Sequence, residues 1–284
     1  MNILTFDIEE WFHILDNQSL ENISKWDSFE YRLENNLEKI LNLLLKKKIK
    51  ATFFCLGWIA KKYPYLIKKI DNAGYEIGSH SNHHILAYKQ NRNEFREDLK
   101  ASLGCLEGLI SKKIRYYRAP GFSLKERNKW ILDELINNGI EIDCSIFPSK
   151  RAHGGFPNFP CNTPSYIEYN GKLIKEFPIN TLSIFGKTFI FSGGGYFRIL
   201  PYRFIKNFVK KSNYVMTYFH PRDFDKNQPI IKDLSIYRRY KSYVGIKNSF
   251  QKLEKLLSEF EFIDLQEANK KIDWEKSPII TLNY

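Results

Sequence analysis

The sequence has few cysteines and no pair of them at the spacing of a metal or redox motif. The four thiols stand far apart, at Cys55, Cys105, Cys144 and Cys161. Without a Cys-x-x-Cys pair, neither a thiolate zinc site nor a redox dithiol is expected. Three of the four lie in apolar or strand-like stretches, where a free cysteine behaves as a small core residue.

Long apolar runs and a basic N-terminal segment are also missing. No run approaches the roughly 18 apolar residues that a membrane-spanning helix needs. The chain opens with MNILTFDIEEWFHIL, where acids interrupt the apolar stretch, and this pattern argues against a secretory signal peptide. We therefore expect a reduced, cytoplasmic protein.

Acidic residues are outnumbered, because 44 Lys and Arg against 32 Asp and Glu give a net charge of +12. This excess fits an acidic partner such as a phosphate-bearing small molecule, an anionic glycan, nucleic acid or a membrane surface. A lysine-rich solubilising surface explains it equally simply. The 22 Phe and 17 Tyr are enough for a sizeable core, and no repeat or low-complexity linker is present. We predict a single domain over residues 1–284.

Short apolar runs alternate with amphipathic stretches along the chain. Strands are predicted at 2–6, 51–56, 75–77, 114–117, 140–143, 214–219 and 261–265. Helices are predicted at 29–47, 59–72, 95–110 and 250–257, and another from a Ser123/Glu126 capping box to about residue 138. Repeated strand–helix units predict parallel strands with helices outside, and ligands then gather at the carboxyl ends of the strands.

Three of the six histidines fall within HSNHH, residues 80–84, directly after the third predicted strand. His80 and His84 are four residues apart, a spacing that on a helical turn puts both rings on one face. His80 and His83 would serve nearly as well. A capped turn whose histidines only form hydrogen bonds is the simpler alternative, but three imidazoles at a strand end favour a metal site.

A carboxylate from the end of the first strand would complete such a site. Asp7, Glu9 and Glu10 are the candidates. Two histidines and one carboxylate leave a coordination position for water, as hydrolytic zinc sites require. The same set suits non-haem iron oxygenases, so the ligands alone do not decide the reaction.

Further polar groups follow later strands. Arg118 can hold a carboxylate by a two-pronged hydrogen bond, or form an ordinary salt bridge. His220 closes the strand YVMTYFH, where a histidine is well placed as a general acid. Asp143 and Ser145 either orient a substrate or cap a turn. The three glycines of FSGGGYFR, residues 191–198, allow close approach of backbone to a ligand but do not form a nucleotide motif.

Taken in order, these motifs resemble those of the polysaccharide deacetylases, the family-four carbohydrate esterases. They are TFDIEE (5–10), HSNHH (80–84), RAPGF (118–122), IDCSIFP (142–148) and YFHP (218–221). RAPGFS, GGGYFR and YFHPRDFD also resemble a subgroup encoded with exopolysaccharide assembly systems. The resemblance implies an α/β fold, a distorted (β/α) barrel of about seven strands. It also implies metal-dependent removal of acetyl from an N-acetylated sugar.

The resemblance also implies roles for individual residues. Asp7 would be the general base, Arg118 the group that positions it, and His220 the general acid. His80 and His84 would bind one divalent metal ion, with zinc favoured over cobalt, nickel, manganese or iron. The catalytic step would release acetate and a free amino sugar.

One position departs from the family pattern, which has two adjacent aspartates where this chain has Ile8 after Asp7. Glu9 points to the same side of a strand as Asp7 and is therefore assigned as the metal ligand, with Glu10 as the alternative if the strand has already ended. The predicted substrate-binding residues are Gly121, Phe122, Asp143, Ser145 and Tyr196. A backbone N–H near Gly121 is expected to help hold the oxyanion.

The expected partner is an N-acetylated glycan or a lipid- or nucleotide-linked glycan precursor, and not nucleic acid. Peripheral association with an anionic membrane surface would suit the basic charge, and an oligomer is left open. Three other functions compete with the deacetylase. They are an amidase or cyclic imidase acting on a small molecule, a glycan-binding protein without activity, and an iron oxygenase.

Overall fold

The computed structural model describes residues 1–15, 17–184 and 187–282 of the chain. In these ranges the strands are β1 (Asn2–Ile3), β2 (Thr5–Ile8), β3 (Thr52–Cys55), β4 (Glu76–Ser79), β5 (Tyr116–Tyr117), β6 (Ile142–Asp143), β7 (Ser165–Tyr169), β8 (Lys172–Glu176), β9 (Leu182–Ile184), β10 (Lys187–Phe189), β11 (Val215–Met216) and β12 (Ile279–Thr281). The α-helices are α1 (Leu33–Lys47), α2 (Gly57–Lys62), α3 (Pro64–Asn72), α4 (Arg92–Ile110), α5 (Ile131–Asn137), α6 (Gly194–Ile199), α7 (Tyr202–Lys211), α8 (Ile236–Tyr243), α9 (Ser249–Glu259) and α10 (Leu265–Lys271).

The strands form a curved, mostly parallel sheet. Strands β2, β3, β4, β5, β6 and β8 lie side by side in that order and run parallel, while β7 and β12 extend the sheet beyond β8. β1 pairs with β11, and Phe6 of β2 bridges to Phe219 just after β11. Next to β11, the Tyr214 hydroxyl donates to the Pro178 carbonyl just after β8 (2.7 Å). These parallel strands make a distorted (β/α) barrel, which confirms the predicted fold class.

Helix α1 shows why these sequences take these positions. Leu33, Leu37, Ile40, Leu41 and Leu44 recur at helical spacing, and all five are buried. One apolar stripe therefore packs on the barrel while the charged face meets solvent. In the part of the chain described here, no helix combines the length and apolar character needed to cross a bilayer.

Two local signals set helix boundaries. Pro64 splits the predicted helix 59–72 into α2 and α3, because proline has no backbone N–H to donate and is accommodated in the first turn of a helix. Asn91 caps α4 by accepting from the amides of Asn93 and Glu94, and the Glu94 carboxylate accepts in return from the Asn91 amide.

The start of one predicted helix and one predicted strand are wrong. The Ser123 hydroxyl accepts from the Ala87 amide of a neighbouring loop (2.9 Å), so it does not cap a helix, and α5 begins only at Ile131. The predicted strand at 261–265 is reduced to one bridge at Ile263, because Asp264 caps α10 and turns the chain there.

Candidate active site

Buried polar side chains gather at one edge of the barrel. Asp7 lies near the end of β2 and Glu9 just beyond it, while His80 and His84 follow β4 and Arg118 follows β5. Each of these side chains is less than one-tenth exposed. They meet because the carboxyl ends of parallel strands share one edge of the sheet.

Glu9 lies between the two predicted histidine ligands. Its Oε1 atom is 3.0 Å from Nε2 of His80 and 2.9 Å from Nε2 of His84. Ligand atoms of Asp7, Glu9 and His220 form a second group, and within each group these atoms lie no more than 4.8 Å apart. The carboxylate of Glu9 therefore belongs to both groups.

The protons on the rings of His80 and His84 indicate what the group of Glu9, His80 and His84 can hold. Nδ1 of His80 is 2.7 Å from the carbonyl oxygen of Arg118, which can only accept, so Nδ1 carries the hydrogen. In the neutral ring, Nε2 then turns a lone pair towards the Glu9 carboxylate. Nε2 of His84 is buried and lies 2.9 Å from the same oxygen of Glu9. One carboxylate oxygen that faces two imidazole nitrogens is an arrangement that a cation between them would stabilise.

The ionisation of Glu9 fits the same conclusion. Burial opposes its charge, but His84 and His220 hold the pKa of Glu9 well below its usual value. A carboxylate with two imidazoles is a donor set that zinc, iron and related divalent ions accept. These residues can therefore hold a divalent metal ion.

The HSNHH segment is not helical, so the argument from a shared helical face is wrong. Ser81 and His84 have φ of 71° and 56°, and the His84 amide donates to the Ser81 hydroxyl (3.0 Å). This tight turn, rather than a helix, brings His84 back beside His80. His83 points elsewhere, with Nδ1 3.7 Å from Asp98 and a side chain 36% exposed.

Glu10 is used differently from Glu9. Its carboxylate accepts from the amides of Arg32 (2.8 Å) and Leu33 (2.7 Å), and so binds the start of α1. Burial raises the pKa of Glu10 to about 7, against the effect of these backbone bonds. The structure therefore places Glu9, and not Glu10, beside the two histidines.

Arg118 organises two other members of the cluster. Its Nη1 donates to Oδ1 of Asp7 (2.6 Å) and to the hydroxyl of Thr5 (2.8 Å), while its carbonyl accepts from His80. The guanidinium is completely buried and lies 4.2 Å from the centre of the Phe54 ring. Oδ2 of Asp7 is left 3.8 Å from Nε2 of His220.

His220 has a partner that the sequence analysis missed. Its Nδ1 is 2.9 Å from Oδ2 of Asp223, three residues later on a 3-10 turn. Asp223 also pairs with Nε of Arg198 (3.0 Å). Burial opposes a proton on His220, but Glu9 and Asp223 raise its pKa to about 9. The signal was in the sequence, because HPRD puts an acid at a capping distance from the histidine.

A cleft of about 210 Å³ opens over these groups. Its lining includes Glu9, His84, Gly121, His153, His220 and Arg222. Gly121 has φ +59°, and a β-carbon there would lie 2.6 Å from Cδ1 of Leu15. The backbone at this position can therefore approach a bound molecule only because the residue is glycine.

The other predicted substrate residues lie farther from the opening. Asp143 and Ser145 are fully buried, and the Ser145 hydroxyl donates to Asp143 (2.5 Å) and accepts from the Ala119 amide (2.8 Å). Through Ala119 they hold the turn that follows Arg118. Phe122 packs edge-on against aromatic rings. The Tyr196 hydroxyl accepts from a neighbouring arginine (2.8 Å). Contact of any of these four with substrate stays a prediction.

Two family models match the chain one after the other. Residues 19–140 match the polysaccharide deacetylase family, and residues 144–270 match a domain of unknown function. The segment that matches the deacetylase model supplies His80, His84 and Arg118, whereas Asp7 and Glu9 precede it. His220 lies in the segment that matches the domain of unknown function.

Curated relatives match about a third of the chain. A peptidoglycan-N-acetylglucosamine deacetylase of Bacillus cereus is 35% identical over 97 residues, which are 34% of this chain and 35% of that protein. The chain thus spans about a third of the length of this relative. The exopolysaccharide subgroup that the sequence suggests stays a prediction.

Solved structures show that the fold is that of the deacetylases. A Mycobacterium smegmatis structure assigned to the polysaccharide deacetylases matches with a TM-score of 0.67 at 16% identity, over 99% of this chain and 93% of that one. A CE4 family pseudoenzyme from Bacillus anthracis matches with a TM-score of 0.51 at 13% identity, over 99% and 69%. Since a pseudoenzyme shares this fold, activity has to be argued from the side chains.

Proposed function

We propose that this protein is a metal-dependent hydrolase that removes the N-acetyl group from an N-acetylated amino sugar in a glycan or glycan precursor. One observation carries the proposal. Three metal-donor atoms converge beside a carboxylate held by Arg118 and an imidazole held by Asp223. Amide hydrolysis needs a base for the attacking water and an acid for the departing nitrogen, and this arrangement offers both.

Glu9, His80 and His84 would hold one divalent ion. Zinc fits two imidazoles and a carboxylate best, and cobalt, nickel, manganese and iron remain alternatives. Such an ion lowers the pKa of a water molecule and polarises a carbonyl. Arg118 fixes the ring of His80 through its carbonyl, so the ligand geometry is set by the fold.

The remaining groups move protons. Oδ2 of Asp7 accepts a proton from the attacking water, while Arg118 keeps the other carboxylate oxygen in place. The carbon–nitrogen bond of the acetamide then breaks as Nε2 of His220 donates a proton to the nitrogen. Acetate and a free amino sugar leave, and Asp223 holds the ring of His220 throughout.

Acetate release tests the proposal. The protein, supplied with zinc or cobalt, is assayed on defined N-acetylated oligosaccharides and on a panel of small amides and cyclic imides. We expect release from the sugars, a loss of about 10²–10⁴-fold in Asp7→Asn, and near-normal rates in His83→Ala, whose ring lies outside the cluster. Turnover of small amides alone would establish the amidase. Absence of any turnover would establish a glycan-binding protein.

Further features of the substrate and location belong to the same proposal. The charge of +12 supports a substrate linked to a phosphate-bearing carrier and contact with an anionic membrane face in the cytoplasm. Sedimentation with anionic and with neutral vesicles tests the membrane contact, and analytical ultracentrifugation tests for an oligomer. Binding to neither type of vesicle would remove the membrane from the proposal.

A further inference from the structure

The wall of the cleft carries an arginine that the proposed chemistry does not use. Arg222 stands two residues after His220, on the same 3-10 turn, and its side chain lines the same cleft. Its Nε and Nη2 atoms both donate to Oε1 of Gln228, at 3.1 and 2.9 Å. Gln228 is buried and donates back to the carbonyls of Arg222 and Asp225. The guanidinium is therefore held in a fixed direction by a neutral clamp.

The charge of Arg222 lacks a close counterion in the described part of the chain. No carboxylate there forms an ion pair with it: Asp223 pairs with His220 and Arg198, and Asp223 and Glu9 act on Arg222 only over longer distances. Burial, reinforced by Arg198, lowers the pKa of Arg222, so the surroundings disfavour this charge. A cation left in this state costs free energy that a bound anion would recover.

A second guanidinium lines the same cleft. Arg238 donates through Nη2 to the carbonyl of Leu15 (2.5 Å). The cleft thus carries two guanidinium groups beside the catalytic residues. Guanidinium groups bind carboxylates and phosphates by paired, directional hydrogen bonds.

We propose that Arg222 binds an anionic group of the substrate, so that the enzyme acts on N-acetylated sugars carrying a carboxylate or phosphate next to the acetamide. This inference rests on the proposed deacetylase function and narrows its substrate class. Arg222 and His220 belong to one rigid turn. An anion bound at Arg222 therefore fixes the sugar relative to the proton donor.

Matched substrates test the inference. Acetate release is measured on neutral chitotetraose, on a hyaluronan tetrasaccharide with carboxylates, and on UDP-N-acetylglucosamine with phosphates. We expect kcat/KM to be highest on one of the anionic substrates, and the better of the two identifies the anion. Arg222→Gln should lower that value at least about tenfold, mainly through KM, and change the neutral substrate less than about twofold. Arg222→Lys should restore only part of it, because lysine lacks the planar fork.

Arg239→Gln is the matched control, since it makes the same change in net charge on an exposed residue outside this cleft. An equal loss in both variants, or an equal loss on neutral and anionic substrates, would overturn the inference. Calorimetry with Asp7→Asn then separates it from the proposed function. If that variant binds the better of the two anionic substrates no more tightly than chitotetraose, Arg222 has no role in selection, whatever the acetate assay shows.

Discussion

Two of the imidazoles in the site are fixed in different ways. His80 is 2% exposed at its side chain, and its Nδ1 bonds a backbone carbonyl. His220 is 22% exposed at its side chain, and its Nδ1 bonds the carboxylate of Asp223. Both rings turn Nε2 towards the same carboxylate of Glu9, at 3.0 and 3.8 Å.

The difference explains how histidine would serve both as a metal ligand and as a proton donor in the proposed reaction. A carbonyl fixes the tautomer of His80 without adding charge, which leaves a neutral ring with a lone pair for a metal. A carboxylate stabilises the protonated ring, and it contributes to the raised pKa of His220. In the proposed reaction, the second partner of each imidazole, rather than its place at a strand end, therefore distinguishes a metal ligand from a proton donor.

The largest effects should separate these two histidines. His80→Ala is expected to lose both metal and activity, because it removes a ligand from a set of three. His220→Ala should keep the metal and lose activity by about 10²–10⁴-fold, the usual contribution of a positioned proton donor. Metal content of the purified variants and acetate release on N-acetylated oligosaccharides measure the two properties separately. Equal metal loss in both would show that His220 is itself a ligand.

A smaller effect should follow from changing only the partner of His220. Asp223→Asn keeps a polar side chain of the same shape but removes the negative charge. We expect kcat to fall by about 10–100-fold with metal content unchanged. Because Asp223 also pairs with Arg198, the midpoint of thermal unfolding has to be followed, and Arg198→Lys serves as the control for that pair. A normal kcat in Asp223→Asn would show that the charge of Asp223 does not contribute to turnover.

The same comparison extends to two acids on the barrel. Asp7 pairs with a guanidinium, whereas Asp143 lies beside Glu176 of the neighbouring strand. Burial raises the pKa of Asp143 to about 6 and, together with Asp143, raises that of Glu176 well above its usual value. The folded pair keeps a proton that the unfolded chain releases near pH 4. Its contribution to stability therefore falls as pH rises from about 4 through 6.

Glu176→Gln should remove much of this dependence. The difference in free energy of unfolding, variant minus wild type, should increase by about 1–3 kcal/mol from pH 5 to pH 7.5. Urea unfolding at several pH values measures the difference. Glu97→Gln, an exposed acid on α4, should give a difference that does not change with pH. If the difference in free energy of unfolding for Glu176→Gln is also independent of pH, the carboxyl pair holds no extra proton.

The sequence was sufficient for the parts of the site that depend on strand ends. His80, Arg118 and Asp7 could be placed together because parallel strands bring their carboxyl ends to one edge. The alternation also predicted parallel strands with helices outside, while the distorted barrel followed from the family resemblance. The choice of His84 over His83 could not follow from spacing, because it depends on a turn in which Ser81 has positive φ.

Contacts between residues that are distant in the sequence could not be predicted from sequence patterns. Glu10 was an open alternative to Glu9 until α1 supplied the amides that occupy it. Asp143 was predicted at the substrate from its strand end, but the neighbouring Glu176 and Ser145 enclose it. Asp223 could have been found, since it follows His220 by three residues in a turn-forming segment.

The smallest predicted effect concerns the backbone that closes the cleft. Gly121→Ala places a methyl group 2.6 Å from Leu15 at φ +59°, where an L-residue is strained. We expect a loss of about 1–3 kcal/mol in the free energy of unfolding, and a lower kcat as the cleft wall shifts. Gly104→Ala is the matched control, because its methyl group meets nothing within 4 Å on α4, and it should stabilise the protein by about 0.5–1 kcal/mol. Urea unfolding of both variants decides the matter. If Gly121→Ala is as stable as Gly104→Ala, the fold does not require glycine at position 121, and the cleft wall relaxes to accept the methyl group.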